Sequence, residues 1–200
     1  MQKEIIEKAA EMFISLGFKS VTMDDIANEM GISKKTIYQH FDNKDTLVHE
    51  CTMYMYETIS HGIDCICNQD LNPIKELYAI KEFILHQLKD EKTSPVYQLQ
   101  KYYKKTYEDL HQKEFCKMQE CIVENLERGI KLGLYRETIN QEFISRIYYA
   151  GVHAIKEQDL FKPELFTNRQ LEDLFLEYHL RGIVTEKGRN ILENIITNRS

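Results

Sequence analysis

The twelve residues from Ser33 to Lys44, "SKKTIYQHFDNK", gather Ser33, Lys34, Lys35, Thr36, Tyr38, Gln39, His40 and Lys44 into one short stretch. Hydroxyl and imidazole groups both donate and accept hydrogen bonds, and ammonium groups donate with a full charge, a set suited to phosphate oxygens and the base edges of a major groove. The charge is local. Residues 33–44 hold three Lys against one Asp, whereas residues 1–47 hold six Lys against eight Asp and Glu, and the whole chain of 200 residues carries a formal net charge of -6. An acidic chain with pI near 5.7 does not coat nucleic acid with its whole surface; one basic face is still compatible with reading a particular stretch.

Such a stretch needs a rigid mount, and the flanking pattern supplies one. Ile5, Ala9, Met12, Phe13 and Leu16 recur at helical spacing and Gly17 follows as a stop, which predicts a first helix over about 3–16. Thr22 is placed to cap a second helix ending at Met30, with Asp24 and Asp25 in its first turn at the positive end of the helix dipole. Gly31 allows a sharp turn, and Ser33 caps a short third helix to about His40. Small Ala27 marks the helix crossing; Ile26, Met30, Ile32, Ile37 and Phe41 form the inward set, leaving the polar residues outside. Two short helices about a glycine, the second projecting outward, describe a helix-turn-helix. A fourth helix starts at Asp42 or Asn43 and runs to about Asn68.

The remainder predicts more helix. Three prolines and eight glycines are too few for the closely spaced turns of an all-β chain. Asn72 and Pro73 open a helix carrying Ile74, Leu77, Ile80, Ile84 and Leu88 on one face. Ser94 and Pro95 start a short one to about Lys101, and about 104–132 form a spine of roughly 40 Å at ~1.5 Å per residue. Asn140 caps a helix to about Ile155, another occupies about 168–182, and Thr185 caps the last. The expected fold is all-α: a three-helix head over 1–47 and a helical body over 48–200. No segment approaches the ~20 apolar residues of a membrane span, and "MQKEIIEKAAEMF" lacks the basic start of a signal peptide, so a cytoplasmic protein with no membrane partner is expected. Five cysteines within helical patterns suit reduced thiols.

The chain resembles the TetR family of bacterial transcriptional repressors. The resemblance is dense over "FKSVTMDDIANEMGISKKTIYQHFDNKDTLV", residues 18–48, with weaker echoes in "LERGIKLGLYRETIN", residues 126–140, and "YHLRGIVTEKG", residues 178–188. It implies a homodimeric repressor whose heads read a palindromic double-stranded DNA operator and whose bodies bind a small-molecule effector. On that resemblance Thr22 caps the second helix beside a phosphate, Tyr38 packs on the DNA backbone and Lys44 reaches a phosphate. Ser33, Lys34, Lys35, Thr36 and His40 fall where groove contacts occur. Lys35 stands where the family commonly has glycine, so its base contacts cannot be carried over.

Two further surfaces are expected in the body. Tyr97, Tyr103, Tyr107, Met118 and Tyr148 mix apolar volume with hydroxyls and are candidates for an effector pocket, although tyrosines on adjoining helices also simply fill cores. Phe143, Ile147, Ala150 and Gly151 with Leu171, Leu174, Phe175, Tyr178 and Gly182 are candidates for the dimer seam; the plainer reading is that they pack within their own body.

Catalytic and metal chemistry find little support. His61 and Cys65 share a helical face, but Cys67 is turned away by about 200° from Cys65, poor geometry for one ion. Glu57 with His61 and Glu82 with His86 are spaced i, i+4, where a carboxylate di-iron bundle uses i, i+3. No catalytic residue, metal site or cofactor is expected. The alternative function is a helical interaction or small-molecule-sequestering protein that has lost operator binding.

Overall fold

The computed structural model describes residues 1–88, 95–156 and 160–198. The described residues form ten helices: α1 (Gln2–Leu16), α2 (Met23–Met30), α3 (Lys34–Tyr38), α4 (Lys44–Cys67), α5 (Pro73–Gln87), α6 (Pro95–Tyr102), α7 (Lys104–Lys131), α8 (Gln141–Ala154), α9 (Asn168–Ile183) and α10 (Glu186–Thr197). The fold is all-α, as the periodicity implies. The proposed cap Ser94 lies outside the described residues. Asn43, rather than Asp42, caps α4, its Oδ1 accepting from Thr46 N at 2.9 Å. No described helix is long and apolar enough to cross a membrane.

The described chain forms two compact units, one of residues 1–62 and 86–114, the other of 63–85 and 115–200. The first has its own core, in which Ile5, Ala9 and Phe13 of α1, Ile26 and Ala27 of α2, Ile37 of α3 and Leu47, Val48 and Cys51 of α4 are buried together. Ala27 fits this packing because it has no side chain beyond Cβ at the crossing. Met30 and Ile32, expected to be inside, lie at the edge of this core and are half-buried. Leu99 of α6 is buried in the same core, with Tyr103, Tyr107 and Leu110 against its flank. The head of this protein is therefore more than its first three helices.

The second unit is organised around the turn after α7. Gly133 takes φ 67°, and Tyr135 pairs with Val184 as an isolated antiparallel bridge, Arg136 N donating to Ile183 O and Thr185 N to Leu134 O, each at 2.9 Å. Tyr135 is fully buried, and its hydroxyl donates to Asn125 Oδ1 at 3.0 Å. Asn125 in turn donates to Glu76 Oε1 at 2.8 Å, and Arg128 pairs with the same carboxylate. A buried carboxylate needs such partners to offset its desolvation. The sequence echo at residues 126–140 thus corresponds to a specific polar anchor.

Candidate nucleic-acid interface

The turn that presents α3 is built from local capping. Thr22 Oγ1 accepts from Asp25 N at 3.2 Å, and the Asp25 carboxylate accepts from Thr22 N at 2.8 Å and from Thr22 Oγ1 at 2.7 Å. This reciprocal capping box fixes the first turn of α2. The two bonds from Thr22 hold the Asp25 carboxyl below its ordinary range. At the other end Gly31 adopts φ 65°, ψ 28°, and its N–H donates to the last carbonyls of α2. That left-handed conformation suits glycine. Ser33 Oγ then accepts from Thr36 N at 3.1 Å and lies 2.8 Å from Thr36 Oγ1, capping α3.

Ile37 and Phe41 anchor α3 in the core, and the residues between them face out. Ser33, Lys34, Lys35, Tyr38 and His40 are exposed and Thr36 is half-exposed. Tyr38 is a large aromatic ring 44% exposed, an arrangement that offers a flat apolar surface with a hydroxyl at its tip. Lys44 lies at the first turn of α4; its ammonium donates to the Lys19 carbonyl at 3.4 Å and sits 6.0 Å from the centre of the Phe13 ring. Partial burial pushes its pKa down.

Sequence reasoning placed Asp24 and Asp25 in the first turn of α2 but missed the contacts each makes. Asp24 forms an ion pair with Lys34 at 2.7 Å across the turn, so one of the expected contact lysines is engaged within the head. Asp25 is a structural part of the cap as well as a charge near the helix dipole. Its position three residues after Thr22 is the signal that identifies it.

The other expected sites are distributed as follows. Tyr97 is exposed, while Tyr103 and Tyr107 pack against the core of the first unit. Met118 and Tyr148 belong to the second unit, where Tyr148 meets Phe175 and His179 with ring centres 5.6 and 4.8 Å apart. That unit also holds a cavity of about 270 Å³ lined by Cys67, Asn68, Glu76, Cys121, Glu124, Glu127 and Arg128, a different set from the expected lining. Burial pushes the Cys121 thiol up to about 12 and the Cys67 thiol up as well, so neither is a thiolate at neutral pH.

Of the residues expected at a seam, Phe143, Ile147, Ala150, Leu174, Tyr178 and Gly182 are exposed on α8 and α9. Leu171 instead is buried in its own unit. Gly151 is covered by the Phe175 ring, to which an added Cβ would come within 2.3 Å. These two positions let α8 and α9 of one chain approach each other.

A capped three-helix head with an outward α3 defines the class of helix-turn-helix regulators. Residues 5–51 match the model of the bacterial regulatory proteins of the tetR family. The family match lies on the head. Over 85 residues it is 31% identical to the IcaR negative transcriptional regulator of the icaADBC biofilm operon of Staphylococcus aureus strain Newman, covering 42% of this chain and 46% of that protein. The chain thus spans about half the length of the curated relatives it matches. The whole fold is similar to a transcriptional regulator from Saccharomonospora viridis solved in complex with choline, with TM-score 0.79, 19% identity, and coverage of 92% of this chain and 98% of that one. A TetR-family regulator from Agrobacterium tumefaciens gives TM-score 0.73 at 19% identity, with coverage of 92% and 97%.

Proposed function

We propose that this protein is a ligand-responsive repressor that binds a palindromic DNA operator as a homodimer and is released by a small molecule. The observation that carries the DNA reading is the exposed face of α3, held by two side-chain caps, with Lys35, Thr36, Tyr38 and His40 facing away from the core. Rigid mounting matters because base-edge hydrogen bonds tolerate little misplacement, while contacts to phosphates set the register. Thr22 and Lys44 take the phosphate contacts in this reading. Two heads are required because one reaches too few base pairs, and a dimer spaces them by one helical turn, about 34–36 Å. The apolar residues exposed on α8 and α9 support that dimer.

The effector half of the proposal rests on likeness of fold to the choline-bound S. viridis regulator and on the size of the body, which exceeds what holding two heads requires. Of the expected lining residues, Met118 and Tyr148 share the second unit and are retained in the proposal. A tenfold release of operator needs ~1.4 kcal/mol of coupling, and the operator must weaken effector binding by the same factor.

The experiment is a titration of the full chain with duplex DNA from upstream of its own gene. Tyr38→Ala and Lys44→Ala weaken binding to all sequences; Lys35→Ala and Thr36→Ala also change which sequence is preferred. Retention of both affinity and preference in Lys35→Ala and Thr36→Ala sinks the assignment of α3 to the groove.

A further inference from the structure

Lys19, in the turn between α1 and α2, and Lys101, near the end of α6, converge on a single ring. The Lys19 ammonium lies 4.6 Å and the Lys101 ammonium 5.4 Å from the centre of the Tyr102 ring. Lys19 Nζ also donates to the Tyr102 hydroxyl at 3.4 Å, and Lys101 Nζ to the Tyr97 hydroxyl at 3.4 Å. Leu99, buried in the head core, and Gln98, whose Oε1 accepts from Lys19 N at 3.1 Å, fix α6 against this turn. The cluster is continuous with the expected phosphate contact, because Lys44 donates to the main-chain carbonyl of Lys19 itself.

Among the described residues of this unit, Lys19, Lys44 and Lys101 stand with Lys35, Lys105 and Lys113 outside the ion pairs. Elsewhere in the same unit Lys3 pairs with Glu7, Lys8 with Glu29, Lys34 with Asp24 and Lys104 with Glu108. Among the described residues no carboxylate lies within ion-pair distance of Lys19, Lys44 or Lys101, and the nearest acidic influences on Lys44 are Asp45 and Asp25. Two ammonium groups on one ring repel each other. Attraction to the ring face offsets part of that repulsion. A polyanion laid across them removes the rest. The phenols add donors: a tyrosine hydroxyl that accepts from an ammonium still has its own proton to give to a phosphate oxygen.

We propose that Lys19, Lys101 and Tyr102 form an auxiliary phosphate-binding surface, which extends the DNA contact of each head from α4 onto α6 and engages backbone phosphates beside the half-site read by α3. The inference rests on the operator reading above and adds a contact from an element outside the helix-turn-helix. The surface carries no base-reading geometry, so it contributes affinity and salt dependence uniformly across sequences. Because α6 belongs to the core of the first unit, bound DNA also holds that helix.

The test is binding of duplex DNA from upstream of the gene across a fourfold range of salt, from 50 to 200 mM. Each phosphate contact contributes about -0.9 to the slope of log affinity against log salt, roughly a threefold change in affinity over that range. Lys19→Ala and Lys101→Ala each flatten the slope by about one contact per head, equally for specific and non-specific duplexes. Lys101→Arg restores it, and Lys104→Ala, a neighbouring exposed lysine paired with Glu108, leaves it unchanged. Wild-type binding whose slope is the same in Lys19→Ala and Lys101→Ala overturns the auxiliary surface and leaves the operator reading standing. Weaker binding of Lys101→Ala with an unchanged slope also overturns it, since that result means the residue only positions α6. Absence of binding by the wild type to any duplex overturns the operator reading itself.

Discussion

Lys34 and Asp24, ten residues apart and on opposite sides of the helix-turn-helix turn, are joined by an ion pair of 2.7 Å. Asp24 raises the pKa of Lys34, chiefly through the hydrogen bond between them. Both side chains are largely exposed, so the pair is screened by salt and contributes little to folding. Its weight falls on recognition. A phosphate that takes Lys34 must first displace Asp24 and then tolerate a carboxylate beside it.

Asp24→Asn therefore frees the lysine and removes the repulsion. The expected outcome is binding to all duplexes several-fold tighter at low salt, a steeper salt slope and a smaller ratio of specific to non-specific affinity. Salt-dependent titrations of the variant and the wild type check it. Unchanged affinity at 50 mM salt would mean that Lys34 does not approach the DNA.

The Thr22 cap serves stability and contact together. Thr22→Ala removes the acceptor for Asp25 N and the donor to its carboxylate, at a cost of about 1 kcal/mol for a lost N-cap. Thr22→Ser keeps both. The Asp25 carboxyl is depressed in the folded head, so its contribution is present above the unfolded value of about 4 and is lost as pH falls through the folded value. Thermal unfolding between pH 3 and 7 is expected to show a smaller acid-dependent loss in Thr22→Ala than in Thr22→Ser.

Much of this was legible in the sequence because caps and periods are local. Gly17, Gly31, Gly133, Thr22, Ser33, Asn140 and Thr185 each mark an end that the structure keeps within a residue or two. What a face packs against is not local. Ser94 and Pro95 announced a short helix to about Lys101, but nothing in it said that Leu99 enters the core of Ile5 and Phe13. The same blindness hid the Asp24 to Lys34 pair and the two ammonium groups on Tyr102, which depend on how separate elements meet. The seam residues divide for the same reason: α8 and α9 each have an outer stripe and a side turned to the other, and helical spacing alone puts Leu171 and Leu174 on equal footing.

Two glycines of the second unit are fixed by close approach. An added Cβ on Gly129 would lie 2.0 Å from the buried Tyr135 ring, and one on Gly188 would lie 2.2 Å from the Leu134 main-chain oxygen. Gly129→Ala and Gly188→Ala are each expected to destabilise by about 1–3 kcal/mol, as overpacking does, with Gly188→Ala the worse because backbone must move. Denaturant unfolding measures both; wild-type midpoints would contradict the tight packing of the turn.

His179 supplies a pH dependence from the same unit. Burial lowers its pKa to about 4, so the folded state keeps it neutral while the unfolded chain protonates it below about 6.5. The unfolded state then binds more protons, and stability falls as pH drops from about 6.5 to about 4, by up to ~3 kcal/mol. Glu172, whose carboxyl burial pushes up, acts in the opposite sense, so the comparison of wild type with His179→Gln isolates the histidine. The variant is expected to lose less stability across that interval. Parallel curves would show that the imidazole takes its proton as readily in the folded protein as in the unfolded chain.

The exposed stripe on α8 and α9 tests the dimer. Phe143 is 61% and Tyr178 78% exposed within the chain, with Ile147 and Leu174 between one-third and two-thirds exposed beside them. Apolar side chains of this size on adjoining helices match the enrichment of aromatic residues at interface centres. Gly182 sharpens the argument. Among the described residues nothing beyond its chain neighbours and the nearby backbone of its own helix lies within 4 Å of a Cβ built there, and Ala is a better helix former than Gly by about 0.8–1.0 kcal/mol, so Gly182→Ala is expected to stabilise an isolated chain. A partner helix packed on that glycine reverses the sign. Light scattering at micromolar concentration is expected to show a dimer for the wild type, a weakened dimer for Gly182→Ala and a monomer for Leu174→Glu with Tyr178→Ala. Operator affinity follows the same order, because heads that are not joined bind as single weak modules. A wild-type monomer, or a dimer untouched by all three substitutions, would remove α8 and α9 as the seam.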